Sequence, residues 1–233
     1  NASGDTAIDW ETWSAPLLQF GQASGLVVSA YDAHGRRQVG PLHSTRTGKL
    51  LAGSTLWRDD GAGTLFEQDL ACQVLDHGAA VSAQFCDALR VCGMPLTRFG
   101  KTYGVAVYGW AFRDFSSPMA CDRIARQIGL QGHLLWSEVR LEPPVSDVRM
   151  TVFTALLRTL VDATDRHREA IAEVNRVNRI RELFLATVSH EMRTPLAALS
   201  MRLELMKRAV PDLPEAVRIG LSLMSTHVEQ EAM

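Results

Sequence analysis

The 233-residue sequence has no apolar run long enough to cross a bilayer, which takes about 20 such residues in succession. Its start, Asn1-Ala2-Ser3-Gly4-Asp5, is polar and lacks the apolar core of a signal peptide. Cysteine is scarce, and Cys72, Cys86, Cys92 and Cys121 form no CxxC pair and have no histidine at zinc-ligand spacing, which excludes a zinc-ribbon framework. The formal net charge is only -2, so no basic field recruits nucleic acid or an anionic membrane. Neither a P-loop nor a kinase-type glycine loop is present. These absences point to a soluble, cytoplasmic protein with reduced thiols, large enough for one ordinary domain and something smaller.

The chain changes character near Pro143-Pro144. Before that pair, short alternating runs are separated by glycine-rich turns. Trp10 to Ala23 reads as an amphipathic helix, with Trp10, Trp13, Leu17, Leu18 and Phe20 on its stripe. Gly25 to Asp32 reads as a strand, a turn follows at Asp32-Ala33-His34-Gly35, and a second strand starts at Arg37. Thr64 to Leu75 has helical spacing and stops at Gly78. Ala80 to Phe85 is a short strand. Leu89–Arg98 and Tyr103–Phe112 read as strands joined in a hairpin through Phe99-Gly100-Lys101-Thr102. Ser117-Pro118 opens another helix, with proline just inside its start, that runs to Gly129. This order describes an antiparallel sheet with helices packed beside it, an α+β domain able to enclose a ligand.

From Ser146 to Val210 one helical pattern persists. Met150, Phe153, Leu157, Leu160, Thr164, His167, Ile171 and Val174 recur at alternating three- and four-residue steps, the spacing of a left-handed coiled-coil seam. Pro211-Asp212-Leu213-Pro214 interrupts it. A second helix resumes at Glu215, with Val217, Leu221, Met224 and Val228 on one face. Two helices so joined form an antiparallel hairpin, and two copies complete a four-helix bundle.

The segment with the most chemistry is Ser189-His190-Glu191-Met192-Arg193-Thr194-Pro195-Leu196. Histidine is largely neutral near pH 7 and offers a ring nitrogen lone pair to a phosphoryl group without help from a metal. Glu191 stands next to it as an acceptor for the other ring proton, a general base that would fix the tautomer. Thr194, four residues on, lies one turn away on the same face and can position a water. Arg193 is a candidate contact for phosphate or for an acidic patch on a partner. Pro195 has no N–H, so the Glu191 carbonyl loses its helical partner and the helix is expected to bend there. A zinc-binding HExxH would need histidine where Thr194 stands. The competing reading, an incidental histidine on a helix, has to account for every defined neighbour occurring in order.

That segment resembles the phosphoacceptor box of the histidine kinases, S-H-E-x-R-T-P-L, at every defined position. The resemblance implies a homodimer, phosphorylation of His190, and transfer of the phosphoryl group to an aspartate on a response-regulator receiver domain. It also implies phosphatase use of Thr194, and ATP and Mg²⁺ bound by a separate domain of the parent protein. The first part of the chain resembles a GAF domain through Cys92-Gly93-Met94-Pro95-Leu96, Gly100, Gly104-Val105-Ala106-Val107 and Ile124–Leu130. The spacing of Cys86 and Pro95 ahead of Gly104 also resembles a PocR-type ligand-binding module, and a PAS-like sheet is a third reading.

The expected organisation is therefore a GAF/PAS-like sensor domain at 1–145, a coiled-coil helix at 146–182, and a dimerisation and phosphotransfer hairpin at 183–233. Trp57, Phe66, Phe85, Tyr108 and Trp110 are the candidates to line a small-molecule pocket in the sensor, against the alternative that they are sheet core. Cys86 and Cys92 are a candidate redox pair provided the strands bring them close. A rival function is a ligand-responsive scaffold with a non-functional phosphoacceptor box. An enzyme acting in the sensor pocket ranks last, for want of a nucleophile–base pair.

Overall fold

The computed structural model describes residues 9–98, 100–209, 214, 217, 219–220 and 222–224. Within it, β1 (Val27–Asp32), β2 (Arg37–Leu42), β3 (Val81–Phe85), β4 (Leu89–Arg98) and β5 (Lys101–Phe112) form one antiparallel sheet in the order β2-β1-β5-β4-β3. The helices are α1 (Glu11–Ser24), α2 (Arg46–Ala52), α3 (Ala62–His77), α4 (Pro118–Gln127), α5 (Gly132–Val139) and α6 (Asp147–Ala209). The chain divides into two compact units, 1–166 and 167–233.

Strand side chains alternate between faces, and the sheet buries both. On one face Val27, Tyr31, Val105 and Val107 meet Leu70 and Val74 of α3, Ile124 of α4 and Leu135 of α5. On the other, Val28, Ala30, Ala106 and Tyr108 meet Trp13, Leu17 and Phe20 of α1 and the first turns of α6. Gly93 of β4 sits under α3, where a Cβ would come within 2.7 Å of the Val74 side chain. Its lack of a side chain lets helix and sheet approach closely.

The β4–β5 register shifts in two places, between Leu96 and Thr97 near the hairpin and between Arg90 and Val91 at the far end. Val91 pairs with Gly109 and Arg90 with Ala111, leaving Trp110 as an extra residue in a β-bulge. Gly109 and Trp110 both have positive φ, 130° and 58°. The extra residue reverses the parity, so Trp110 lands on the same face as Val105 and Val107, and Phe112 follows it there. Without the bulge, Trp110 would share the face of Tyr108 and Ala106.

Local chemistry explains the helix ends. Ser117 accepts the Ala120 N–H at 3.2 Å and Pro118 opens α4, as the sequence implies. Gly78 closes α3 in the left-handed conformation. The sequence reading did not find α2 or α5. Thr45 caps α2 by accepting the Gly48 N–H at 3.0 Å. Phe99, Pro211, Asp212, Leu213, Glu215, Leu221 and Val228, on which the hairpin-turn and second-helix readings rest, lie outside the described residues.

The start of α6 belongs to the sheet unit. Asp147 pairs with Arg90 and, at 2.9 Å, with Arg113, and the Val145 N–H donates to the Phe112 carbonyl at 2.8 Å. Met150, Leu157 and Val161 are buried against the sheet, with Phe153 and Leu160 packed beside them. The Tyr108 and Thr154 hydroxyls lie 2.6 Å apart, and the Tyr103 hydroxyl donates to Asp165 at 3.1 Å. This corrects the coiled-coil reading of Met150, Phe153, Leu157 and Leu160: those residues face the protein's own sheet. A three- and four-residue repeat marks an apolar helix face, and a sheet satisfies it as well as a partner helix does.

The bulge sets a test. A Cβ on Gly109 would lie 2.6 Å from the Arg90 carbonyl oxygen, at a φ that side chains rarely adopt. Gly109→Ala is expected to lower the stability of the sheet unit by about 1–3 kcal/mol, read as a lower denaturant midpoint at unchanged slope. An unchanged midpoint would show that the bulge does not require this geometry.

Candidate functional site

Four of the five aromatic candidates converge, and they do so around a residue that the sequence reading missed. Trp57 and Trp110 meet edge to face at 5.3 Å between ring centroids, Phe85 lies 5.2 Å from Trp110, and Phe66 lies 5.4 Å from Phe85. In their midst is Glu67 of α3, fully buried. Its Oε1 accepts the Trp110 indole N–H at 2.6 Å and the Trp57 indole N–H at 3.2 Å, and its Oε2 accepts the Tyr31 hydroxyl at 2.8 Å. Tyr108 is on the opposite face, edge-on to Phe20 at 6.1 Å. The five therefore do not line one cavity. Trp57, Phe85, Tyr108 and Trp110 are buried in the core, and Phe66 packs half-buried against it. Glu67 was detectable in principle, because Gly63, Thr64, Glu67, Leu70, Ala71 and Val74 fall on one helical stripe with an acid in its middle.

Burial pushes the Glu67 carboxyl above the ordinary carboxylate range, against the opposing pull of its hydrogen bonds from Tyr31 and Trp110 and the nearby Arg37 charge. Burial, followed by the adjacent Glu67, also pushes the Tyr31 phenol far above its usual value. Tyr108 is pushed up to about 12, again mainly by burial. Cys86 and Cys92 do not pair. Cys86 donates to Gln127 at 2.7 Å, whereas Cys92 lies across from Ser82 on the sheet, 3.5 Å from its hydroxyl. All four cysteines are free, and burial raises the thiols of Cys86, Cys92 and Cys121.

His190 is placed differently, on the part of α6 that lies in the second unit, where it is exposed. Phe184, Val188 and Met192 recur at four-residue steps and are exposed too. His190 is two residues from both Val188 and Met192, about 200° around the helix, so the imidazole and this apolar stripe occupy opposite faces. Thr194, one turn on, shares the face of His190, as does Thr187, whose hydroxyl donates to the Leu183 carbonyl at 2.9 Å. Glu191 is about 100° away, and among the described residues the Glu191 and His190 side chains share no hydrogen bond. Arg193 is exposed on the adjoining side. The helix continues through Pro195, whose missing N–H leaves the Glu191 carbonyl without its intrahelical donor. The arrangement offers a solvent-accessible ring nitrogen with a hydroxyl one turn away.

The profile of the His Kinase A (phospho-acceptor) domain matches residues 180–230. Searches of curated proteins and of solved structures gave no match. The chain thus carries a phosphoacceptor domain of the kind found in two-component signalling, and such domains in general dimerise and pass phosphate to response regulators. The match does not extend to the α+β sheet domain, so neither a GAF nor a related family is identified there. Among the described residues no helix is long and apolar enough to cross a membrane.

The Glu67 cluster predicts a pH signature. A folded-state carboxyl raised above its unfolded value stabilises most below the unfolded value, about pH 4, and its contribution declines as pH rises toward the folded one. Glu67→Gln keeps an oxygen for both indoles and has no charge to bury. The wild type should therefore lose stability relative to Glu67→Gln as pH rises from about 4, followed by chemical denaturation. Glu67→Leu strands two indole N–H groups and a phenol, and should cost about 3 kcal/mol or more near pH 4, with the difference narrowing as pH rises. Parallel wild-type and Glu67→Gln curves would mean that the carboxyl is not raised by burial.

Proposed function

We propose that the chain is the sensing and phosphoacceptor part of a two-component histidine kinase, and that His190 carries the phosphoryl group. The observation supporting this most directly is an exposed His190, within Ser189–Leu196, on a helix matched by the phosphoacceptor profile. In this reading a ring nitrogen of His190 attacks the terminal phosphorus of ATP, the nitrogen–phosphorus bond forms, and ADP departs. ATP and Mg²⁺ are held by a separate domain of the parent protein, and no residue of this chain is assigned to them. The phosphoryl group then passes to an aspartate of a receiver domain.

Each neighbour has a role in this chemistry. Glu191 takes the proton from the ring as positive charge develops, which requires its side chain to swing toward the imidazole or to act through a water. Thr194 orients the water that removes phosphate from the receiver domain in the reverse, phosphatase direction. Arg193 offers a cation to the phosphate or to the receiver's acidic surface. Two copies pair through the apolar faces of their helices, because Phe184, Val188 and Met192 are exposed in the single chain and need cover. The sheet domain receives a small-molecule signal, which changes access to His190 through α6.

Phosphorylation with the parent's ATP-binding domain supplied in trans tests this. The chain should take up label that survives base and is lost in acid, and His190→Gln should take up none. Glu191→Gln should slow labelling by about 100-fold, and Thr194→Ala should leave labelling intact while slowing phosphate loss from the receiver by a similar factor. Absence of acid-labile label in the wild type would favour a ligand-responsive scaffold instead.

A further inference from the structure

The sheet unit has a groove of about 170 Å³ at the end where β5 leaves the sheet and the chain turns into α6. By the volume of liquid water it has room for about five or six waters, or for an organic molecule of about ten non-hydrogen atoms. Its apolar lining includes Val27, Trp110, Phe112, Val139 and Val145, all buried in the fold. The polar lining is unusual in its balance of commitments. Arg149 donates to the Pro144 carbonyl at 3.3 Å and lies over Phe153, and Arg140 lies 5.0 Å over Trp136, so both guanidinium groups have protein contacts.

The two carboxylates are less engaged. Glu142, half-buried, accepts the Thr47 backbone N–H on Oε1 at 3.0 Å, and among the described residues its Oε2 has no hydrogen bond. Asp114, exposed at the rim, has no ion pair among the described residues, its neighbour Arg113 being paired with Asp147. A second, independent sign comes from Thr47, which lines the groove and is only 4% exposed. Among the described residues its hydroxyl is buried without a hydrogen-bond partner. Such an orphan costs about 1–3 kcal/mol, which a ligand donor that reaches it would relieve.

We propose that this groove is the signal-binding site of the sheet domain and that its ligand is a small primary amine with an apolar body. The ammonium sits against Glu142 and the Thr47 hydroxyl, and Asp114 offsets part of the positive charge of Arg140 and Arg149 at the mouth. The apolar body lies against Trp110, Phe112 and Val145. An amino acid and its decarboxylated amine share this chemistry and differ only in whether a carboxylate reaches the rim arginines. The Pro143-Pro144-Val145 turn forms one wall, so an occupant touches the segment that leads directly into α6. The inference rests on the sheet domain being the sensing part of the protein.

The test uses the whole chain and matched probes: phenethylamine, phenylalanine, and the uncharged and anionic isosteres 2-phenylethanol and 3-phenylpropanoate. Binding is read by tryptophan fluorescence and by thermal shift. One or both ammonium-bearing probes should bind more tightly than both isosteres, and which of the two binds identifies amine or amino acid as the class. Glu142→Gln, which retains the oxygen for the Thr47 N–H, should weaken binding about 10- to 100-fold, and Thr47→Val by a smaller factor. Ammonium probes that bind no better than their isosteres, or that bind Glu142→Gln as well as wild type, overturn the proposal. No phosphotransfer step enters the readout. Amine binding in a chain whose His190 takes no phosphate would break only the kinase reading, and a labelled His190 without amine preference would break only this one.

Discussion

The rest of the structure depends on the sheet's hold on the first turns of α6. Met150, Leu157 and Val161 are buried in the face of the sheet that α1 also covers, and each such side chain contributes about 1.5–3 kcal/mol. Polar contacts fix the register along the same stretch: Asp147 on Arg90 and Arg113, Thr154 on Tyr108, and Asp165 on Tyr103. The helix that carries His190 therefore begins as a structural member of the sheet domain. A change at the sheet has a covalent and packed connection to the start of that helix.

The opposite face of the sheet is organised around one acid. Glu67 takes three side-chain donors from three separate elements, Tyr31 on β1, Trp57 after α2 and Trp110 on β5. A buried group with this many partners specifies one arrangement of its neighbours, since any shift strands a donor. The β5 bulge is part of the same solution, because it brings Trp110 to the Glu67 side. Trp57 and Trp110, two of the rings that suggested a ligand cavity, are thus committed to holding a carboxyl. The groove beside Glu142 lies at the edge of that cluster, where Trp110 also borders it.

Much of this was legible from residues alone, and the failures have physical causes. The five strands and the helices α1, α3 and α4 follow from alternation, helical spacing and end signals such as Ser117-Pro118 and Gly78. Helices α2 and α5 escaped because they are short, at seven and eight residues, and include or begin with glycine, so propensity says little. The apolar stripe of α6 was seen correctly and given the wrong partner over Met150–Leu160, because periodicity records that a face is covered without saying by what. Glu67 was hidden for a related reason: a charged residue on a stripe reads as a flaw in the pattern until its donors are known. The Ser189–Leu196 segment was legible because its chemistry is encoded in contiguous residues on one helix, whereas Thr47 and Glu142 meet only through the fold.

The claim at the base of this account is that α6 is covered in two ways, by its own sheet up to Arg166 and by a second chain beyond it. Hydrogen exchange measured across a range of protein concentrations tests that directly. The account predicts that amides of residues 150–165 keep the same protection at every concentration, because their cover is intramolecular, and that protection across 171–202 rises as chains pair. Protection that rises with concentration along the whole helix, or in neither part of it, would contradict it.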